Sequence, residues 1–240
     1  MTILCIDTST SICSAAICKD GVPAEECICR EGSNHARLLP RYIQHLLQYA
    51  KEHQLSVDAV ALSEGPGSYT GLRIGAATAK GLCYGLNIPL IPISTLRLLA
   101  FAAKEKLADS QQLTANSVLC PMIDARRMEV YTVLYDWHLQ PLTDIRAVVV
   151  NNTESLIPDS AADRKPSSVF YFGDGAEKCV NVLNNPDWHY LPDVELRSSY
   201  LAVLAESDTR AIREQSEIAY YEPYYLKDFI AAPSHVKGLL

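Results

Sequence analysis

Positive charge is scarce in this chain: 21 Lys and Arg stand against 28 Asp and Glu, for a net charge of −7. That balance excludes a broad electrostatic footprint for nucleic acid, because neutralising phosphates takes clustered Lys and Arg. If RNA is involved, another molecule holds most of it. No apolar run approaches the roughly 18 residues of a membrane span, so no membrane partner is expected. Met1 to Asp7 has no basic region before its short apolar stretch and no small-residue cleavage pattern after it, which sets the expectation of a cytoplasmic protein. Cys-x-x-Cys spacing is missing although there are eight cysteines, most of them inside apolar runs. Buried reduced thiols are the reading; Cys27 and Cys29 share one strand face, a poor geometry for bridging each other. No Lys precedes a Ser or Thr in the glycine-rich stretch, and Gly65-x-Gly67-x-x-Thr70 misses the final glycine of the dinucleotide fingerprint. The six histidines are scattered, no Ser, His and Asp set assembles by spacing, and a hydrolase reading has no positive support.

What is present is a chain of 240 residues, 48% hydrophobic, long enough for one large domain or two small ones around a well-packed core. Its most informative stretch is Ser63-Glu64-Gly65-Pro66-Gly67-Ser68-Tyr69-Thr70-Gly71-Leu72-Arg73-Ile74-Gly75, a glycine-rich turn between an apolar run and a helix-like pattern. Two uses of such a turn stay open at this point. Backbone N–H groups at a glycine loop and helix N-terminus point at anions and suit phosphate. Alternatively, the glycines permit a tight turn and a close backbone approach. Gly67, Gly71, Gly75 and Ala79 recur every four residues, which lines one helix face with small side chains and predicts a close-packing seam.

Along the chain, Ile3 to Ile6, Cys13 to Cys18 and Glu25 to Arg30 read as three antiparallel strands, the last two joined by a turn at Lys19-Asp20-Gly21. Ser33 or Asn34 can cap a helix with the apolar stripe Leu38, Leu39, Tyr42, Ile43, Leu46, Leu47 and Ala50, in which Pro40 fits awkwardly. Strand Val57 to Leu62, the glycine loop, a helix from about Thr70 to Gly85, strand Leu90 to Ile93 and a helix from Thr95 to about Leu107 follow. After a polar stretch, strands at Val118 to Ile123, Glu129 to Asp136, Ala147 to Val150 and Phe170 to Phe172 repeat the order in reduced form. A capping box at Asp174 to Glu177 is expected ahead of a helix ending near Leu183, and a longer helix over Ser199 to Arg213. The tail from Glu222 to Leu240 is expected to be partly mobile.

Three antiparallel strands followed by alternating helices and strands, twice over, is the plan of the actin-like superfamily of sugar kinases and Hsp70-type ATPases, a duplicated ribonuclease-H-like α/β fold. The expected lobes are residues 1–107 and a smaller 108–240, with the last helix free to pack back on the first lobe. In that plan nucleotide sits between the halves, and the turns after each first strand, Asp7-Thr8-Ser9 and Asp124-Ala125-Arg126-Arg127, meet phosphates.

Ile6-Asp7-Thr8-Ser9, His35 with Leu38-Leu39-Pro40, the long glycine motif, Ile91-Pro92-Ile93-Ser94-Thr95-Leu96 and Asp124-Ala125-Arg126 occur in that order. Together they resemble the TsaB (YeaZ) family, densely over residues 1 to about 135 and loosely beyond. The resemblance implies a two-lobed actin-like fold and a role in making N6-threonylcarbamoyladenosine on tRNAs reading codons that begin with A. It also implies a non-catalytic chain. TsaD-like paralogues carry a His-x-x-x-His metal pair where this sequence has Ser94-Thr95-Leu96-Arg97-Leu98-Leu99. They carry an acidic residue where it has Ser11, and a Ser-Gly-Gly-His type loop where it has Asp124-Ala125-Arg126-Arg127. Family members read Asp-Ala-Arg-Met-Gly-Glu-Val-Tyr at the last place, and this chain lacks that glycine.

The partners implied are a TsaD-type catalytic subunit and a TsaE-type ATPase, with tRNA reached indirectly through the complex and a homodimer when the chain is alone. No cofactor and no metal are implied; weak ATP or ADP binding is left open, at a vestigial site of Asp7, Thr8, Ser9, Gly65, Gly67 and Asp124. The implied partner surface is the first helix with the glycine helix: Leu38, Tyr42, Tyr49, Gly67, Gly71, Gly75 and Ala79. For Leu38, Tyr42 and Tyr49 an intramolecular core role stays open. Two alternatives remain from other classes, an actin-like ATPase or small-molecule kinase and a glycoprotease-like metallopeptidase.

Overall fold

Short apolar runs separated by polar turns open the chain, and they form strands β1 (Thr2–Asp7), β2 (Cys13–Lys19) and β3 (Val22–Cys29), each antiparallel to the next. Asp20 and Gly21 between β2 and β3 both have positive φ, 50° and 74°, the backbone that a tight two-residue hairpin demands. Helix α1 (His35–Glu52), strand β4 (Ala59–Gly65), helix α2 (Tyr69–Leu86), strand β5 (Leu90–Ser94) and helix α3 (Thr95–Leu107) complete the first half. The second half holds β6 (Ser117–Asp124), β7 (Glu129–Thr132), β8 (Arg146–Val149), β9 (Ser168–Phe172), β10 (Trp188–Tyr190), α4 (Tyr200–Ser207) and α5 (Gln215–Ile218). This computed structural model describes residues 1–32, 34–108, 116–157, 168–207 and 212–227.

The first sheet has the order β3-β2-β1-β4-β5, and the second, read from its β8 edge, β8-β7-β6-β9-β10. Replacing each strand by its rank within its own half makes the two orders identical. The senses match too: β6 is antiparallel to β7 and parallel to β9, as β1 is antiparallel to β2 and parallel to β4. The fold is therefore a duplicated ribonuclease-H-like unit of the actin-like class.

Strand β1 is buried along its whole length, and its alternation divides the core. Ile3 and Cys5 face a central cluster with α3, α4 and residues of both sheets, among them Leu96, Leu201, Leu119 and Phe172. Leu4 and Ile6 face the opposite way, under Leu39, Ile43 and Leu46 of α1 and Ala79 of α2. Leu96 is fully buried, so truncation to Ala there costs about 2–5 kcal/mol through the lost transfer energy and the cavity. Although α4 and α5 come late in the chain, they pack on first-half elements, α4 on β1, β4 and β5 and α5 on α2.

Several expectations are corrected. Helix α1 runs through Pro40; both Pro40 and Ala36, whose carbonyl loses its helical donor, are exposed, so water can take that carbonyl. Asn34 makes no side-chain cap and Ser33 lies outside the described residues. No capping box forms at Asp174, whose carboxylate accepts instead from the Asp124 N–H at 2.9 Å; only a 3-10 turn, Glu177–Cys179, follows. The capping box belongs to α5, between Glu214 and Glu217. Helix α4 is described to Ser207, residues 208–211 lie outside the described set, and Arg213 is extended, exchanging backbone hydrogen bonds of 2.7 and 3.1 Å with Leu90. Among the described residues no helix is long and apolar enough to cross a membrane.

Candidate functional site: the cleft between the sheets

The first turn is tied down from below. Asp7 is fully buried, and its Oδ1 accepts from the Ser9 N–H (3.0 Å), the Ser9 hydroxyl (2.7 Å) and the Ser63 hydroxyl. Its Oδ2 is buried without a hydrogen-bond partner. The Thr8 hydroxyl donates to the Gly71 carbonyl at 2.8 Å, and the Ser68 N–H donates to the Ser9 carbonyl at 2.7 Å. Ser68 also caps α2, accepting from the Gly71 N–H at 3.3 Å. The glycine loop is therefore occupied by the first turn of the chain itself.

The inner face of α2 explains its small residues. A Cβ at Gly67 would overlap the Ser9 carbonyl, one at Gly71 the Thr8 carbonyl, and one at Gly75 the Thr8 hydroxyl and Leu62. Ala79 is fully buried under β1. Gly71, Gly75 and Ala79 therefore cannot belong to a partner surface, and Gly67 also faces its own chain; the seam is internal, a correction to the expected interface. Helical periodicity could not say which neighbour fills a small-residue face. Leu38 and Tyr42 are half-buried against the α1 side of the core, and Tyr49 stacks on His53 with ring centroids 3.9 Å apart. The face of α2 that does point outward carries Arg73, Ala77, Gly81, Tyr84 and Gly85. Tyr84 is 84% exposed, and a Cβ at Gly81 or Gly85 would meet nothing within 4 Å.

The second turn closes differently. The Lys178 ammonium donates to Asp124 Oδ1 and to the Glu129 carbonyl, the latter at 2.7 Å. Arg126 and Arg127 both adopt left-handed backbone, with φ of 74° and 50°. Asp174 is pushed upward from the usual carboxylate range, chiefly by desolvation, with the Asp124 N–H opposing and the Asp124 charge adding.

Between the turns lies a cleft of about 490 Å³. Of the expected vestigial site, Ser9, Gly67 and Asp124 line it, together with Ser68, Arg126 and Asp174. Asp7, Thr8 and Gly65 sit behind its wall; the Gly65 N–H donates to the Thr95 hydroxyl at 3.1 Å. Residues Tyr224 to Lys227, in the tail expected to be partly mobile, instead form a strap across the mouth, which sequence reasoning missed. The Tyr224 N–H donates to the Glu64 carbonyl at 2.8 Å, the Tyr225 ring lies 4.9 Å from Tyr69, and Lys227 pairs with Glu129 at 2.5 Å. Its signal was the aromatic and basic cluster Pro223-Tyr224-Tyr225-Leu226-Lys227; residues 228–240 lie outside the described set. Behind the strap, the Glu64 carboxyl is pushed up by burial and pulled back partly by Arg213. Among the described residues no group of three or more His, Cys, Asp and Glu gathers that could hold a metal.

The duplicated sheets and the cleft between them define a protein of the actin-like class. A family model described as "TsaD: tRNA N6-adenosine threonylcarbamoyltransferase" matches residues 30–181. The protein TsaB of Haemophilus influenzae is 39% identical over 131 residues, 55% of this chain and 52% of its own. The Escherichia coli TsaB is 39% identical over 146 residues, covering 58% of this chain and 59% of its own. A Buchnera aphidicola TsaB is 30% identical over 162 residues, 65% of this chain and 68% of its own. The solved structure of YeaZ from Pseudomonas aeruginosa superposes with a TM-score of 0.70 at 25% identity, over 94% of this chain and 99% of that one. The chain belongs to the TsaB (YeaZ) family. Its match spans 52–59% of the length of the first three curated relatives.

Proposed function

We propose that this chain is a non-catalytic partner subunit of a TsaD-type enzyme, required for forming N6-threonylcarbamoyladenosine on tRNAs that read codons beginning with A. The curated relatives called "tRNA threonylcarbamoyladenosine biosynthesis protein TsaB" support the pathway. The observation that carries the non-catalytic part is how the cleft is lined: the Ser68 and Gly71 amides engage Ser9 and Ser68, Asp124 is held by Lys178, and the strap crosses the mouth. A phosphate gripped by those amides would have to displace the bonds they already make.

In this reading a TsaE-type ATPase joins the pair, and the other subunits hold the tRNA and most of the nucleotide. This chain needs no cofactor and has at most weak affinity for ATP or ADP. Its docking surface is the outward side of α1 and α2, where Ala77, Gly81 and Gly85 leave room for a partner helix beside the exposed Tyr84. The same face pairs two copies when no partner is present.

The test is transfer of labelled threonylcarbamoyl to unmodified tRNA by the cognate TsaD-type and TsaE-type proteins. Modification is expected only when this chain is added, and none from the chain alone. Full modification in its absence would overturn the proposal.

A further inference from the structure

Cys13 opens β2 and Cys29 closes β3, and the antiparallel register sets them directly opposite one another. Directly opposed residues project to the same face, with Cα atoms roughly 4.5 or 5.5 Å apart depending on the pair type. Disulfides span Cα separations of about 4.4–6.8 Å, so either pair type suits a bridge. Cys27 lies two residues earlier on that face, opposite Ala15, which makes it diagonal to Cys13. Diagonal neighbours sit about 7–8 Å apart, beyond that reach without backbone movement. Tyr42 of α1 covers the same spot: its phenol is pushed up by burial first and then by Cys29, Cys13 and Cys27.

We propose that Cys13 and Cys29 form a modification site, a reversible cross-strand disulfide that fastens the edge strand β3 to β2 beneath α1. Access orders the chemistry, since Cys29 is half-buried and Cys13 fully buried. The Cys29 thiolate attacks one sulfur of a small disulfide such as oxidised glutathione, forming a mixed disulfide and releasing one glutathione thiolate. The Cys13 sulfur, giving up its proton, then attacks Cys29 Sγ and releases the second glutathione. Two protein thiols are oxidised and one glutathione disulfide is reduced to two thiols. Cys13 acts only in the second step: burial, with Asp7 and Cys29 adding, pushes its thiol up to about 12 and disfavours attack on an outside disulfide. Cys29 lies directly opposite it in register, which makes the second attack intramolecular.

The test incubates the full chain with oxidised glutathione, blocks remaining thiols, digests without reduction and maps linkages by mass spectrometry. The expected product is a peptide pair joined through Cys13 and Cys29, two hydrogens lighter than its parts and released by reductant. Cys13→Ala should halt the reaction at glutathione on Cys29, and Cys29→Ser should leave Cys13 unmodified. Cys29→Ser alters a half-buried edge position, so it keeps the test open if the buried variant fails to fold. Glutathione persisting on Cys29 in the unaltered chain, a Cys13–Cys27 bridge as the main product, or no modification would each overturn the proposal.

Discussion

Gly71→Ala and Gly81→Ala add the same methyl group to the same helix and are expected to move stability in opposite directions. Gly in a helix interior is about 1 kcal/mol less favourable than Ala. At Gly81 nothing lies within 4 Å of the new carbon, so most of that gain, about 0.5–1 kcal/mol, should be realised. At Gly71 the methyl overlaps the carbonyl of Thr8, a fully buried residue whose hydroxyl donates back to the Gly71 carbonyl. Overpacking a tight site costs about 1–3 kcal/mol, and the distorted hydrogen bond about 1 kcal/mol more. Against the propensity gain, the net loss is about 1–3 kcal/mol, or roughly 2–12 °C in Tm for a chain of this size. Urea unfolding followed by circular dichroism reads both variants, with an unchanged slope showing that the same surface is exposed. A Gly71→Ala protein as stable as Gly81→Ala would refute the internal seam and reopen this helix face to a partner.

The pH response tests the strap's anchor: a carboxyl pushed above 4.5 in the fold contributes stability fully present below that value and lost as pH rises through the folded value. Glu64→Gln should therefore flatten the decline in stability above pH 4.5, read as Tm across a buffer series; identical profiles would exclude desolvation of Glu64 as its cause. Arg127→Gly should raise the urea midpoint by about 0.5–1 kcal/mol equivalent, because left-handed backbone costs a side-chain-bearing residue about 1–2 kcal/mol and glycine gives part back through the unfolded state. A destabilised variant would mean that the Arg127 side chain holds the turn. Gly85→Leu fills open space on the outward face of α2, and it should weaken pairing with the TsaD-type subunit by at least tenfold, about 1.4 kcal/mol, with a Tm no lower than that of the unaltered chain. Pairing at full affinity would remove that face from the docking surface.

The architecture was legible because its signals are local. Leu39, Ile43, Leu46 and Ala50 announce a buried helix stripe, Asp20-Gly21 announces a hairpin, and both appear as read. What failed depended on partners far away in the chain. The spacing of Gly67, Gly71 and Gly75 correctly required a close neighbour, but only the fold shows that the neighbour is Thr8-Ser9. Asp174 has the sequence of a cap, yet its carboxylate meets Asp124 N, fifty residues back. The strap was hidden for the same reason, since Tyr224 and Lys227 are held by Glu64 and Glu129, on different sheets.

A glycine loop at a strand-to-helix junction can serve an anion or a neighbouring backbone, and its amides decide which. An anion site needs N–H groups that point into open space, whereas here the Ser68 N–H bonds to Ser9 and the Gly71 N–H to the Ser68 hydroxyl. Opposite them, Asp124 meets the Lys178 ammonium, and the fixed charge that would otherwise attract a cation is neutralised within the chain. The Ser68 and Gly71 amides on one side and Asp124 on the other are thus engaged within the chain, so a ligand using those groups would have to displace these contacts. Lys227 of the strap is anchored on Glu129 of the second sheet while Tyr224 is held by Glu64 of the first, so the strap ties the two sheets together across the cleft.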